Sequence, residues 1–461
     1  MGGDEDRSFG QRHFGDASLG DIRRTHRLVG LADAFCQRPD ASLPRKCGSP
    51  AAYQGLLGLL TGSDTTHATV LGSHFQLTQR TIEQRSGLTT LLVGDITELD
   101  YTSQSALQKH VGPIGNGNGF GFECFNLLAI DPDRRAVLGL ANQILFRRRR
   151  RKMTRTKIAQ LPAQKRQSGL WVRATKDLPP APPKTRVVRV FDREGDTDEA
   201  LKAPGDYLIR SRTNRCIHTG PQADAPKGKL HTFLRALPTH GRREVVVQPS
   251  PDHAGRTAVC GISYACVSIC WSRSPEPSTS VAWCVRVWEL DTPAGEEALE
   301  WLLLTSVPVE SVEEAQDRVG WYECRWLVEE YHKALKTGAR IEQVQLTTRE
   351  RLEPLIGILS VVALGLLWLR DAARDPVTAD QPADQFVDPL LVELAAHQPT
   401  GVKIRGPRMT VREFYHVVAR LGGYLGNVHK RPPGWQTLWH GWAHLRTMAQ
   451  GVTTIRNQRN L

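Results

Sequence analysis

Two apolar runs, TTLLVG at residues 89–94 and TRVVRVF at residues 185–191, each end on an aspartate, Asp95 and Asp192. Runs of this length, rich in β-branched residues and bounded by turn formers, read as strands. An aspartate just past such a run can emerge at the end of a sheet. Between the two, CFNLLAID and AVLGLANQILF read as further strands joined across PDRR as a hairpin. The segment PPAPP at residues 179–183 interrupts regular structure before the last strand returns. Periodicity alone therefore supports an α/β fold with a mixed sheet. Either aspartate by itself is an ordinary turn or cap residue.

A third acid changes that reading. In WYECRWLVEEYHKALK, residues 321–336, a helical turn of about 100° per residue puts Tyr322, Arg325, Glu329, Lys333 and Lys336 within roughly 80° of arc. Glu330 points elsewhere. One carboxylate among cations and a phenol suits a metal ligand whose neighbours grip phosphates. A solvated face held by pairs such as Glu329–Lys333 is the plainer alternative. With Asp95 and Asp192, Glu329 would complete a set of three hard oxygen donors. Such a set can hold two Mg²⁺ or Mn²⁺ ions about 3.5–4 Å apart for phosphoryl transfer. Asp100, and Asp131 and Asp133 in the hairpin turn, read as structural.

The chain has 461 residues and a net charge of +12, with basic clusters at residues 23–27 (RRTHR) and 147–152 (RRRRRK). That suits a polyanionic partner. The second cluster reads as an extra contact to DNA backbone or as a disordered arm. Nine cysteines show no zinc spacing, and Cys260, Cys266 and Cys270 read as buried thiols in a β-like run. The opening residues are polar and charged, so no secretory leader is expected. The apolar run LIGILSVVALGLLWL, residues 355–369, is shorter than the roughly twenty residues needed to span a bilayer and reads as a core helix. Residues 17–35 read as a helix capped by Asp21, with a second over 51–60. Roughly 130 residues separate Asp192 from the acidic helix, which calls for a β-rich insertion. Near the end, Trp435, Leu438, Trp439, Trp442 and Leu445 form an apolar helical stripe that this chain or another must cover.

The spacing Tyr322-x2-Arg325-x3-Glu329-x6-Lys336 resembles the signature of a group of bacterial cut-and-paste transposases, the insertion-sequence-four group that includes the transposon-five enzyme. LGDIRRTHRLVGLADAF, LLVGDIT, VFDREGD, EWLLLTSVPVES, EEYHKALKTGA and the closing GWQTLWHGW are similar to that group's landmarks, in the same order. The resemblance implies a ribonuclease-H-like mixed-sheet catalytic core with a β-rich insertion, flanked by helical terminal domains. The corresponding bounds are 1–75 for DNA-end binding, 76–390 for catalysis with the insertion at about 204–310, and 391–461 for dimerisation. It implies a DDE transposase with Asp95, Asp192 and Glu329 as catalytic metal ligands for two Mg²⁺ or Mn²⁺ ions. Strand nicking, hairpin formation and opening, and strand transfer would all occur at that site.

By the same resemblance Tyr322, Arg325 and Lys336 hold the DNA end and Trp301 receives a flipped base. Arg210 and Lys333 are further DNA contacts, and Arg23, Arg24 and Arg27 read the element's end. The implied partners are double-stranded terminal repeats, target DNA and a second copy of the chain, with the C-terminal stripe as one candidate surface. A bacterial cytoplasmic, nucleoid-associated location without a membrane is expected. The alternative is a non-catalytic DNA-binding descendant, but the three acids and the basic residues are all present.

Overall fold

The computed structural model describes residues 8–459 except 40, 150–160, 163–165, 177, 223–224, 248–254, 272–277 and 427–432. Among these residues the strands are β1 (Thr89–Asp100), β2 (Gly112–Ile114), β3 (Gly119–Asp131), β4 (Ala136–Phe146), β5 (Arg186–Phe191) and β6 (Asp206–Arg210). The second half adds β7 (Cys216–His218), β8 (Lys227–Lys229), β9 (Gly241–Val247), β10 (Arg256–Trp271), β11 (Ser278–Glu289) and β12 (Glu300–Thr305). They form one mixed sheet ordered β2-β3-β1-β5-β6-β12-β11-β10-β7-β8, with β4 on β3 and β9 on β10. The pairs β1–β5 and β5–β6 are parallel, while β3–β4 is the expected hairpin. Its turn is shaped by Asp131, whose carboxylate accepts from the backbone N–H of Asp133 at 3.0 Å.

The long β-rich segment does not build a sheet of its own. β12 pairs with β6 antiparallel, Leu304 facing Ile209, and so extends the sheet outward from the strands that carry the aspartates. Alternation along β12 sends Leu303 into one core and Leu302 and Leu304 into another on the opposite face. Both faces are therefore covered, as the apolar runs in β1 and β5 require.

Five described helices lead into the sheet, the three longest being Ile22–Gln37, Pro50–Leu60 and His67–Glu83. Ile22–Gln37 begins with Asp21 accepting from the backbone of Arg23, and Pro50–Leu60 begins with Ser49 accepting from Ala52. His67–Glu83 starts in a reciprocal Thr66–Thr69 cap and lies on β4. The apolar run at 355–369 belongs to a longer helix, Arg349–Arg374, of 26 residues. It is the one described helix long and apolar enough to cross a membrane, yet 72% of its apolar window is buried inside the protein.

The C-terminal stripe is covered by its own chain. On helix Trp435–Arg459, Trp435 and Trp439 enter the main core, while Leu438 and Leu445 pack with helix Val411–Leu421. Trp442 meets Phe414 edge to face at 5.7 Å. The two backbones cross so closely that a Cβ on Gly441 would lie 1.7 Å from the carbonyl oxygen of Val418. This stripe is thus an internal seam and not a free dimer surface.

Gly94, the last residue before Asp95, has a comparable reason to lack a side chain. A Cβ there would stand 2.7 Å from both Phe125 and Phe191. Phe125 is held in turn by Trp171, edge to face at 5.5 Å, so the rings cannot simply retreat. Gly94→Ala should lower stability by about 1–3 kcal/mol through overpacking, read as a shifted denaturant midpoint. An unchanged midpoint would mean that the aromatic cluster is looser than its geometry indicates.

Candidate active site

Parallel pairing of β1 with β5 ends at Gly94 opposite Phe191. The next residues along the two neighbouring strands are Asp95 and Asp192. Local backbone holds each carboxylate: Asp95 Oδ1 accepts from the N–H of Ile96 at 2.8 Å, and Asp192 Oδ1 accepts from that of Glu194 at 2.9 Å, opening a short 3-10 turn. Glu329 comes from helix Trp326–Lys333, which packs on β1. Arg325 joins the parts, donating to Asp95 Oδ2 at 3.3 Å and to Glu329 Oε1 at 2.6 Å. Arg325, Asp95 and Glu329 are all partly exposed, so the cluster is open to solvent, midway along β1 and not at its end as expected, because β1 continues on β3 to Asp100.

The helix that supplies Arg325 and Glu329 is not the straight one expected from sequence. Helix Val312–Glu323 tightens through bonds from Cys324 to Trp321, Arg325 to Tyr322, Leu327 to Cys324 and Val328 to Arg325, each spanning three residues. After Lys333 it widens into a π turn, Ala334–Gly338, closed by Ala339 N–H to the Ala334 carbonyl at 2.8 Å. Changes of helical period rotate one part of the stripe against another. Arg325 and Glu329 remain together and face Asp95. Tyr322 is instead buried, with its ring 5.1 Å from Trp301 and near-perpendicular to it.

The other expected contacts scatter around this centre. Arg210 lies close enough to Tyr322 to act on it electrostatically and donates to the Glu300 carbonyl at 2.8 Å. Lys333 is exposed and lies 4.9 Å over the Trp326 ring, while Lys336 pairs with Glu342 at 3.4 Å. Glu330 turns away to the buried Arg370, as its different helical angle requires. Arg23, Arg24 and Arg27 are remote from the carboxylates in sequence and sit on helix Ile22–Gln37. Arg23 is exposed and bonded to Asp21, Arg24 reaches Asp64 at 3.1 Å, and Arg27 is exposed.

In the basic tract, residues 150–152 lie outside the described residues. Arg148 is neither a free arm nor an open contact. It pairs with the buried Glu123 and, at 3.6 Å, with Glu98, while donating to the Gly115 carbonyl at 2.7 Å.

Sequence reasoning missed a buried chain of polar side chains behind the carboxylates. Asn126 is the cross-strand partner of Asp95, and its Nδ2 lies 3.1 Å from Nε2 of His332, on the same helix as Glu329. Gln143 donates to Asn126 Oδ1 at 2.6 Å, and its Oε1 lies 2.8 Å from Nε2 of His67. Because Asn126 Nδ2 also donates to the Cys124 carbonyl, it is the donor to His332. Burial first, then the nearby Lys336 and Arg325, push His332 down to about 3, so it stays neutral and can accept. The chain ties the helix that carries Glu329 through β3 and β4 to the first residue of helix His67–Glu83. No spacing rule finds it, because its members meet only through strand register.

Electrostatically the three acids act on one another. Burial foremost, and then the charge of Asp192, push the Asp95 carboxyl up to about 7; Arg325 opposes this and Glu329 adds to it. Among the described residues no three of His, Cys, Asp and Glu are grouped to share one metal ion. The donor chemistry nonetheless fits a hard divalent cation, since carboxylate oxygens are its preferred ligands and their crowding disfavours the bare anions.

A raised carboxyl pKa stabilises the folded state below the unfolded value near 3.8 and loses that contribution as pH rises through about 7. In chelator, Asp95→Asn should therefore lose less stability than the parent protein between about pH 5 and about pH 8, a difference of order a few kcal/mol at most. Parallel melting curves across that range would remove Asp95 as a buried titrating acid.

Residues 6–64 match the family model described as transposase DNA-binding. The match spans helices Ile22–Gln37 and Pro50–Leu60 and therefore includes Arg23, Arg24 and Arg27. It ends before β1, so the carboxylates lie outside it. The N-terminal part of this chain is thus of the transposase DNA-binding type, which supports a transposase function and DNA as a partner.

Proposed function

We propose that the chain is a DDE transposase of the insertion-sequence-four type, which cuts a DNA element from its donor and joins its 3′-hydroxyl ends to a target. One observation carries the reading: Asp95 and Asp192 lie side by side just past the parallel pairing of β1 with β5, and Arg325 ties Asp95 to Glu329, in a chain whose residues 6–64 match a transposase DNA-binding segment. The mixed sheet with helices on it suits a ribonuclease-H-like catalytic core.

Asp95, Asp192 and Glu329 are the residues that would hold Mg²⁺ or Mn²⁺, two ions in this reading. Bound there, the ions supply an activated water or 3′-hydroxyl and stabilise the leaving oxygen. The chain's own groups do the rest. Arg325 releases the two carboxylates it bridges and takes a phosphate oxygen, for which its planar fork is suited. Arg210 and Tyr322 brace each other beside it, and Lys336 and Lys333 add positive charge along the same edge. Trp301 offers its ring to a base expelled where the strand bends, and Arg23, Arg24 and Arg27 contact the element's end. Synapsis of two ends requires a second copy of the chain, which must dock elsewhere than on the internal C-terminal seam.

Asp95→Ala, Asp192→Ala and Glu329→Ala should each lower Mg²⁺-dependent cleavage and joining by more than about a hundredfold while end binding persists. Near-normal cleavage by any of them would remove that residue from the site, and end binding without cleavage by the parent protein would favour a non-catalytic regulator. Trp301→Ala should spare first-strand nicking and weaken hairpin formation, by about 1–3 kcal/mol of missing stacking, with Trp301→Phe recovering part. Gel separation of nicked, hairpin and excised species decides it; an equal fall in all three marks Trp301 as a core residue.

A further inference from the structure

Across the sheet from Trp301, on interior strand β12, lies a second basic feature. A cavity of about 240 Å³ is lined by Arg193, Arg210, Arg212, His231, Arg235 and Glu300, with Ser211 and Leu302. Side chains alternate along β12, so Glu300 and Leu302 face this cavity while Trp301 faces Tyr322. The cavity is therefore distinct from the surface Trp301 offers. Arg210 is paired in register with Leu303, is rooted on the Trp301 face and still reaches the cavity, so it borders both features.

The charge there is poorly balanced, and the carboxylates nearby are already engaged. Glu300 accepts from Arg235 through both oxygens, at 3.1 Å each, and from Arg286 at 3.0 Å. Asp196 accepts the backbone N–H groups of Arg212 and Thr213 at 2.7 Å and pairs with the buried Arg215. That clamp fixes the 211–213 turn and leaves the Arg212 side chain to point without an acidic partner. Among the described residues neither Arg193 nor Arg212 makes an ion pair within 4.0 Å; the acid that Arg212 acts on at longer range is Glu194. Burial holds the Arg210 guanidinium below its ordinary value, and repulsion from Arg193 and Arg325 adds to that effect.

Size narrows the occupant. The cavity is smaller than the ~300–1,000 Å³ of pockets that enclose whole small molecules, and it has three guanidinium groups to offer. Guanidinium forks match phosphate oxygens in pairs. Arg193 follows Asp192 by a single Cα step of about 3.8 Å, so a phosphate held here belongs to a nucleotide close along the strand from the carboxylates.

We propose that the Arg193–Arg210–Arg212 cavity holds a backbone phosphodiester of the single DNA strand that leaves the carboxylate site. The assignment rests on reading the chain as a DNA-cleaving transposase. A strand parted from its partner needs such a hold, since it is no longer paired and must not drift while the site acts on a second bond. Recognition is of charge and not of base, because the lining offers guanidinium groups and its one ring, His231, is already engaged with Ser211 Oγ at 3.0 Å.

The test is binding of a fluorescein-labelled octathymidylate to the full chain, followed by anisotropy over a salt series. Arg193→Gln with Arg212→Gln should weaken binding roughly tenfold or more and lower the slope of log K against log salt by about 0.7 for each phosphate that is no longer neutralised. Arg193→Lys with Arg212→Lys should keep most of the slope, which shows that a weak glutamine variant lacks charge and has kept its fold. Unchanged affinity and slope in the glutamine variant would overturn the proposal, as would equal binding of an uncharged methylphosphonate strand by the parent protein. Cleavage of element ends by the parent protein, measured alongside, separates the two readings. If octathymidylate binding depends on Arg193 and Arg212 while the parent cleaves no element end, the pocket stands and the transposase reading falls. If ends are cleaved but the glutamine variant binds the strand normally, the pocket falls alone.

Discussion

The parallel pairing of β1 with β5 is the constraint on which the site depends. It requires two apolar strands to lie side by side with both faces covered, and it places Asp95 next to Asp192 one step beyond the last paired residues. The pairing leaves no room for a side chain at position 94, where the rings of Phe125 and Phe191 close over the strand. The geometry of two acids is thus fixed by packing in the apolar core, well away from any charge.

Charge is then managed by one residue. Arg325 contacts Asp95 and Glu329 together, and it is placed by a helix that tightens just before it and widens after Lys333. A uniform helix would carry Tyr322 and Lys336 on the same narrow face as Glu329. The altered period instead buries Tyr322 against Trp301 and leaves Lys336 beside Glu342. Behind this helix the neutral His332 accepts from Asn126, so the polar chain through Gln143 to His67 anchors the acidic helix to the helical N-terminal part. A buried polar chain that is fully satisfied fixes register better than apolar contact, since a slip leaves several groups unpaired at once.

The same economy governs the basic residues. Arg148, Arg215, Arg256 and Arg370 all stand against buried or half-buried acids, so these four charges are spent within the protein. Net charge of +12 suggests a polyanionic partner but cannot say which arginines meet it. The cations left over near the site, Arg193, Arg210 and Arg212, line one cavity beside strand β12, which also carries Trp301.

Sequence by itself determined the strand ending before Asp192, the β3–β4 hairpin, the Asp21-capped helix and the burial of the run at 355–369, because each follows from local periodicity, turn chemistry or composition; β1 instead runs on through Asp95 to Asp100, held there by its pairing with β3. It also put Arg325 on the same helical face as Glu329, though the pair it named was Glu329–Lys333 and the ion pair that forms is Glu329–Arg325. Tertiary structure alone decided that the β-rich segment extends the same sheet, that the tryptophan stripe is an internal seam, and that Arg148 neutralises Glu123. It also decided that Asn126, Gln143 and His332 form one chain. Each of these depends on which distant segments become neighbours, and strand register and helix crossing are set by the packing of the whole core, which no local spacing encodes.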